Sequence, residues 1–329
     1  MTARHDVIAI GNALVDVIAT ATPEFLTEHG IAKGSMRLIP ADEAEAIYAA
    51  MGPGREISGG SAANTMAGMA ALGTRPAFVG RVADDQLGRV FAHDIRAAGV
   101  SFTTAASTGG APTGRCLIVV TPDGDRTMNT YLGACQELSE ADLDADSVAA
   151  AEILYLEGYL WDPPAPRAAM KAAIAVARAH GRKVAFTLSD VFCVEGHRAD
   201  FRALLTGHVD LMFGNEHEVM ALYQTQSLDA AMDELARHAA IAVVTRSSNG
   251  AVVLEGGRRH FIPAEPAARV LDTTGAGDLF AAGFMAAMVQ GRSLPDCGRA
   301  GCIAAAEIIS HYGARPEVDL KALTAARLG

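Results

Sequence analysis

The sequence is short of positive charge: 27 Lys and Arg stand against 38 Asp and Glu, a formal net charge of −11. Nucleic acid and anionic membrane surfaces both select for basic patches, so neither is expected as a partner. A local anion site is still compatible with this balance, because a helix N-terminus supplies one without help from net charge. Cysteine is also scarce. Cys116, Cys135, Cys193, Cys297 and Cys302 form no C-x-x-C pair and no even framework, and read as reduced residues of a cytoplasmic protein. Gly and charged residues interrupt every apolar run before it reaches the length of a membrane span. The opening "MTARHDVIAIGNALVD" enters a strand-like run within six residues, which leaves no room for a signal peptide.

Several catalytic motifs are missing as well. There is no G-x-x-x-x-G-K-[ST] loop and no histidine cluster with metal-ligand spacing. His217-Glu218 has Ala221 where H-E-x-x-H needs its second histidine, which excludes a zinc protease. "GAGDLF" lacks the third glycine of G-x-G-x-x-G and comes late in the chain, which argues against a nicotinamide oxidoreductase. Internal repeats and low-complexity tails are absent.

What remains is a chain of 329 residues, half of them hydrophobic, enough for one large α/β domain or two ordinary ones. Strand-like runs at 7–10, 77–80, 153–158, 183–188, 211–214 and 241–246 alternate with Ala-rich helical stretches such as 61–72 and 166–180, the latter ending at Gly181 as a C′ glycine. That alternation predicts a mostly parallel sheet covered on both faces. Residues 14–40 and 112–133 break the rhythm. The second reads as two strands joined at Pro122-Asp123-Gly124. We read these two segments as a small β lid on a core formed by 1–13, 41–111 and 134–329.

The stretch "LDTTGAGDLFAAGF", Leu271 to Phe284, concentrates the chemistry. Gly275, Ala276 and Gly277 offer open backbone N–H groups at a helix start. Asp278, on the first turn, can take a hydroxyl proton there while the amides hold charge developing on a phosphoryl group. The bland alternative is an acid placed for the helix dipole with Thr273 or Thr274 as cap. The stretch alone leaves both open.

Three further sites invite paired readings. "SGGSAAN" either presents a polyhydroxyl site, with Gly59 and Gly60 baring the backbone and Asn64 offering donor and acceptor, or is a turn capped by Ser61. "GNALVD" places Asn12 and Asp16 after the first strand, at the edge where α/β sheets bind ligands; Asp16 in an apolar run is internally paired or ligand-facing. Asn215 and Glu218 can reach hydrated Mg²⁺ or phosphate, and equally fit a capping box.

Together and in this order, these segments resemble the PfkB (ribokinase-like) family of carbohydrate and nucleoside kinases. "DTTGAGDLFAAGF" matches its carboxy-terminal signature and Gly59 to Gly73 its amino-terminal one. Within the family the resemblance narrows to the adenosine kinases, carried by "GNALVD", "GGSAAN", "DRTMNTYLGA", "LYLEGYL", "DLMFGNEHE" and "CGRAGCIAAAEIISHYGARPE". It implies a three-layer α/β/α core with a small β-sheet lid. The implied activity is ATP- and Mg²⁺-dependent phosphorylation of a nucleoside 5′-hydroxyl, adenosine to AMP, by a monomer or homodimer.

Carried over by position, Asp278 is the base and Gly275, Ala276 and Gly277 the anion hole. Asn12, Asp16, Gly60, Ser61 and Asn64 hold ribose hydroxyls, and Asn215, Glu218 and Thr245 lie on the ATP and Mg²⁺ side. Arg126 on the lid hairpin faces the transferring phosphate. Asp272 and Thr274 match a monovalent-cation site, K⁺ in several relatives. Leu160 stands where a base-stacking aromatic is expected, with Tyr159, Trp161 or Phe192 able to replace it. Met36 and Leu38 line the lid side of the base pocket, and Ser247 replaces a glycine of the ATP-side loop. A sugar kinase of the same fold (ribokinase, fructokinase or 2-keto-3-deoxygluconate kinase) is the nearest alternative. A non-catalytic nucleoside-binding protein is a further one, against which the intact Asp278 and Gly-Ala-Gly count.

Overall fold

The structure, a computed structural model, describes residues 5–329, so residues 1–4 of the stretch read for a leader lie outside it. The strands among the described residues are β1 His5–Ile10, β2 Leu14–Thr20, β3 Met36–Leu38, β4 Arg55–Gly59, β5 Pro76–Val79, β6 Ser101–Phe102 and β7 Gly114–Val120. Then follow β8 Arg126–Tyr131, β9 Ala151–Glu157, β10 Lys183–Thr187, β11 Leu211–Asn215, β12 Ile241–Thr245, β13 Ala251–Glu255 and β14 Arg258–Ile262.

Nine of them form one sheet in the order β14-β13-β12-β11-β10-β9-β1-β5-β6. Pairing is parallel from β12 through to β6, and only the β12–β13 and β13–β14 pairings are antiparallel. Residues 7–10, 153–156 and 184–186 are buried at every position. Strands so covered have apolar side chains on both faces, which is why they read as unbroken hydrophobic runs rather than alternating ones. Helix Pro164–Ala179 covers β9 and β10, starts with prolines where no N–H is needed, and stops at Gly181 in the left-handed region, as expected.

The smaller sheet has the order β3-β8-β7-β2-β4. The β7–β8 hairpin turns where the sequence indicates, with Gly124 N–H donating to Thr121 O at 2.8 Å. The boundaries need one correction: β4, read as part of the core segment 41–111, is an edge strand of this sheet, antiparallel to β2. Residues 14–40 also contain a short helix, Pro23–Glu28, that the sequence reading did not anticipate. Among the described residues, no helix is long and apolar enough to cross a membrane.

Two helices decide where the chemistry lies. Ser61–Ala71 and Ala276–Val289 pack closely, with Gly68 facing the side chains of Leu279 and Ala282. Small residues at the contact bring the helix axes together, and the first turns of both helices meet at one point.

Candidate active site

That point is the wall of a cavity of about 690 Å³ that runs past the carboxyl ends of β1, β9, β10, β11 and β12 and under the smaller sheet. Open α/β sheets bind ligands at this edge, because strand ends and helix starts leave backbone groups unpaired there. Asn12, Asp16, Leu38, Gly60, Ser61, Asn64, Asn215, Glu218, Thr245 and Thr274 through Asp278 all line the cavity. Residues spread over the whole sequence thus share one space.

Asp278 is the centre of the arrangement. Ser61 Oγ donates to its Oδ1 at 2.6 Å and Asn64 Nδ2 to its Oδ2 at 3.1 Å. Ser61 therefore does not cap its own helix. It occupies the first helical position, Gly60 is the N-cap, and the hydroxyl is spent on Asp278. Neither Thr273 nor Thr274 caps the second helix either. Its N-cap is Gly275, at φ 78°, a conformation that favours glycine, and an added Cβ there would lie 2.8 Å from Ala314 Cβ. The Ala276 N–H turns back to Thr273 O at 3.1 Å. Those of Gly275, Gly277 and Asp278 find no acceptor among the described residues, as the first turn of a helix dictates. Burial raises Asp278 to a pKa of about 6, held from going higher by the Ser61 and Asn64 hydrogen bonds and the charge of Arg315.

One side of the cavity presents acceptors that lack protein donors. Asp16 makes no hydrogen bond among the described residues, and burial lifts it to about 6 against the pull of Arg315 and Arg126. Gly59 does not line the cavity: an added Cβ there would lie 2.4 Å from the Asp16 carboxyl carbon, so its role is to make room for that side chain. Glu157, which ends β9 fully buried, accepts from Asn12 N at 2.7 Å, Asn12 Nδ2 at 2.8 Å and Ala62 N at 2.7 Å. With its amide nitrogen so held, Asn12 keeps Oδ1 buried and without a donor. Burial pushes Glu157 up to about 7, opposed by those same N–H groups.

On the opposite side, Asn215 and Glu218 form a capping box. Asn215 N donates to Glu218 Oε2 at 2.9 Å and Glu218 N to Asn215 Oδ1 at 2.9 Å. Both still line the cavity, with Thr245 paired beside Asn215 in the sheet register. Burial raises Glu218 to about 7. One such carboxylate suits a divalent ion that takes its other ligands from phosphates and water. Among the described residues, no group of three or more His, Cys, Asp or Glu could hold a metal by itself.

Other expectations are corrected. Leu160 is 1% exposed and points into the core, so it does not reach the cavity. Trp161 is buried too, its Nε1 donating to Asp200 at 2.9 Å, whereas Tyr159 and Phe192 do line the cavity, with ring centroids 5.9 Å apart. Asp272 and Thr274 do not fit a monovalent-cation site. Arg126 donates to Asp272 Oδ2, Gly313 N donates to the same oxygen at 2.9 Å, and Thr274 N takes Oδ1 at 3.0 Å. A buried guanidinium already neutralises this carboxylate. Arg126, reaching from β8 beside the cavity rather than into it, also donates to Thr274 Oγ1 at 3.2 Å and keeps Nε and Nη2 without acceptors. Ser247 adopts φ 48°, the left-handed conformation that explains why glycine suits this position.

Two residues of the site were not singled out from the sequence. Glu157 carries the same signal as Asp16, an acid ending an apolar run at the carboxyl edge of a strand. Arg315 follows a helix in "YGARPE" without any periodic context, and no local pattern marks it.

The chain is similar over its length to proteins of known structure and to curated relatives. The adenosine kinase of Sinorhizobium meliloti is 52% identical over 99% of both chains, with a TM-score of 0.91. A probable sugar kinase of Rhizobium etli is 49% identical over 99% of this chain and all of that one, with a TM-score of 0.93. The 5-dehydro-2-deoxygluconokinase of Geobacillus thermodenitrificans is 28% identical over 79% of this chain and 82% of that protein. Residues 31–320 match the pfkB family carbohydrate kinase profile. The chain belongs to the PfkB family and is a phosphotransferase with a hydroxyl acceptor.

Proposed function

We propose that this phosphotransferase transfers the γ-phosphoryl group of ATP to the 5′-hydroxyl of a nucleoside, adenosine before others. The observation that carries the reading is the position of the Asp278 carboxylate. It shares one cavity with acceptors without donors, Asp16 and Asn12 Oδ1, and with the open amides of Gly275 and Gly277. A ribose whose 2′- and 3′-hydroxyls donate to Asp16 and Asn12 brings its 5′-oxygen to Asp278. The carboxylate takes the hydroxyl proton as the new O–P bond forms, the bond to ADP breaks, and the amides stabilise charge on the phosphoryl oxygens. Arg126 stays on Asp272 and Thr274 beside the cavity and steadies the loop that carries those amides. Glu218 with Asn215 would hold Mg²⁺ through water, where the ion offsets phosphate charge.

The nucleoside assignment rests on the far end of the cavity, where Met36, Leu38, Ile118, Met128 and Phe192 give an apolar surface suited to a purine. The likeness to the S. meliloti adenosine kinase supports it. The smaller sheet acts as a lid over this end, formed by 14–40, 112–133 and β4. The test is kcat/KM for adenosine, inosine, 2′-deoxyadenosine, ribose and fructose with Mg-ATP. Adenosine should rank first. A ranking led by ribose or fructose would replace this reading with a sugar kinase, the activity named for the Geobacillus and Rhizobium proteins.

A further inference from the structure

Arg315 is half-buried, and nothing in the preceding reaction uses it directly. Its Nη1 donates to Asn64 Oδ1, and its Nη2 to the carbonyl and, at 2.9 Å, the hydroxyl of Ser58. Ser58 in turn donates from N and Oγ to Asp94 Oδ2 at 2.8 and 2.6 Å. A guanidinium has donors only. Asn64 must therefore turn its carbonyl oxygen to Arg315, which leaves Nδ2 to face Asp278. Without Arg315 the amide is free to flip and present an oxygen to the carboxylate.

We propose that Arg315 is a positioning residue for phosphoryl transfer: it fixes the orientation of the Asn64 amide and, through it, the Asp278 carboxylate. The inference rests on the reading of Asp278 as the base. The charged and titratable groups around Asp278 come from several elements. Asp16 lies on β2, Tyr155 and Glu157 on β9, Tyr159 just beyond it, and Arg315 on the loop after helix Leu294–Ile308. Among these Arg315 is the cation, and the others add negative charge or none. Its loss should therefore act on Asp278 in one direction only.

The experiment is the pH dependence of kcat/KM for wild type, Asp278→Glu, Arg315→Met, Arg315→Lys and Ser58→Ala, with Tm as a check on folding. Loss of a facing opposite charge should move the acid limb of Arg315→Met upward by about one unit or more, giving roughly tenfold lower activity at pH 5 and near-parental activity at pH 9. Arg315→Lys should recover part of the shift, and Ser58→Ala should show a smaller shift of the same sign. A uniform loss at every pH, or no shift, would overturn the proposal. Should Arg315→Met not fold, an unmoved limb in Ser58→Ala and Arg315→Lys overturns it equally. An acid limb that Asp278→Glu leaves in place refutes the base assignment instead, so the two failures are distinguishable.

Discussion

Gly59 and Asp16 share one corner of the molecule: β2 and β4 pair with Ile57 opposite Asp16 and Leu14 opposite Gly59, so the glycine lies diagonally beside Asp16 and a Cβ on it would collide with the carboxylate. Asp16 can point into the cavity only because its diagonal neighbour on β4 has no side chain. Gly59→Ala should therefore displace Asp16 and weaken ribose recognition without touching Asp278. A site that hydrogen-bonds a hydroxyl rejects the deoxy analogue because its buried partner is left bare, and for this cavity we expect a preference of about 10–10³ for adenosine over 2′-deoxyadenosine. Both Gly59→Ala and Asp16→Ala should bring that ratio close to one. A ratio unchanged in Asp16→Ala would remove Asp16 from the ribose site.

Asp278→Asn keeps the shape of the side chain and removes its proton-accepting charge. Loss of a general base costs roughly 10²–10⁴-fold, so kcat should fall into that range. Adenosine binding by calorimetry should change little, since Ser61 and Asn64 retain partners. Turnover within a few-fold of wild type would mean that another group accepts the proton.

Activity and stability should move in opposite directions with pH. Asp16 and Asp278 at about 6, and Glu157 and Glu218 at about 7, all lie above their ordinary carboxylate values because burial disfavours the charged form. The folded chain then binds more protons than the unfolded chain between those ordinary values and about 7. Acidification from pH 8 to 6 should raise Tm while kcat/KM falls as Asp278 is protonated. Parallel loss of both would show that these carboxyls are not the dominant titrating groups.

The smaller sheet should close when acceptor binds. It carries Arg126 to Asp272 and Thr274 on the anion-site loop, and closure that excludes water would protect ATP from hydrolysis. Hydrogen exchange across Arg115–Leu132 should slow with saturating adenosine. Unchanged exchange rates in this segment would argue for a sheet that stays in place.

The alternation of apolar runs and Ala-rich segments was enough to predict a mostly parallel sheet, and Pro122-Asp123-Gly124 was enough to predict the hairpin, because burial on both faces and turn geometry leave local marks. "GAGD" announced a helix start beside an acid for the same reason. β4 could not be assigned to its sheet from its own residues, since pairing with β2 is a contact between distant segments. Leu160 and Trp161 differ from Tyr159 and Phe192 only in which way each faces after β9 and at the start of helix Val191–Gly207, a choice made by packing. Asp272 reads in sequence as a free ligand, and only the return of β8 gives it the Arg126 guanidinium. Arg315 shows the limit most plainly. Residue type tells that it donates; only the meeting of β4, two helix starts and the loop after Leu294–Ile308 decides that it donates to Ser58 and Asn64. Local sequence constrains backbone conformation and burial pattern, whereas a hydrogen-bond partner 251 residues away is fixed by the packed tertiary structure alone.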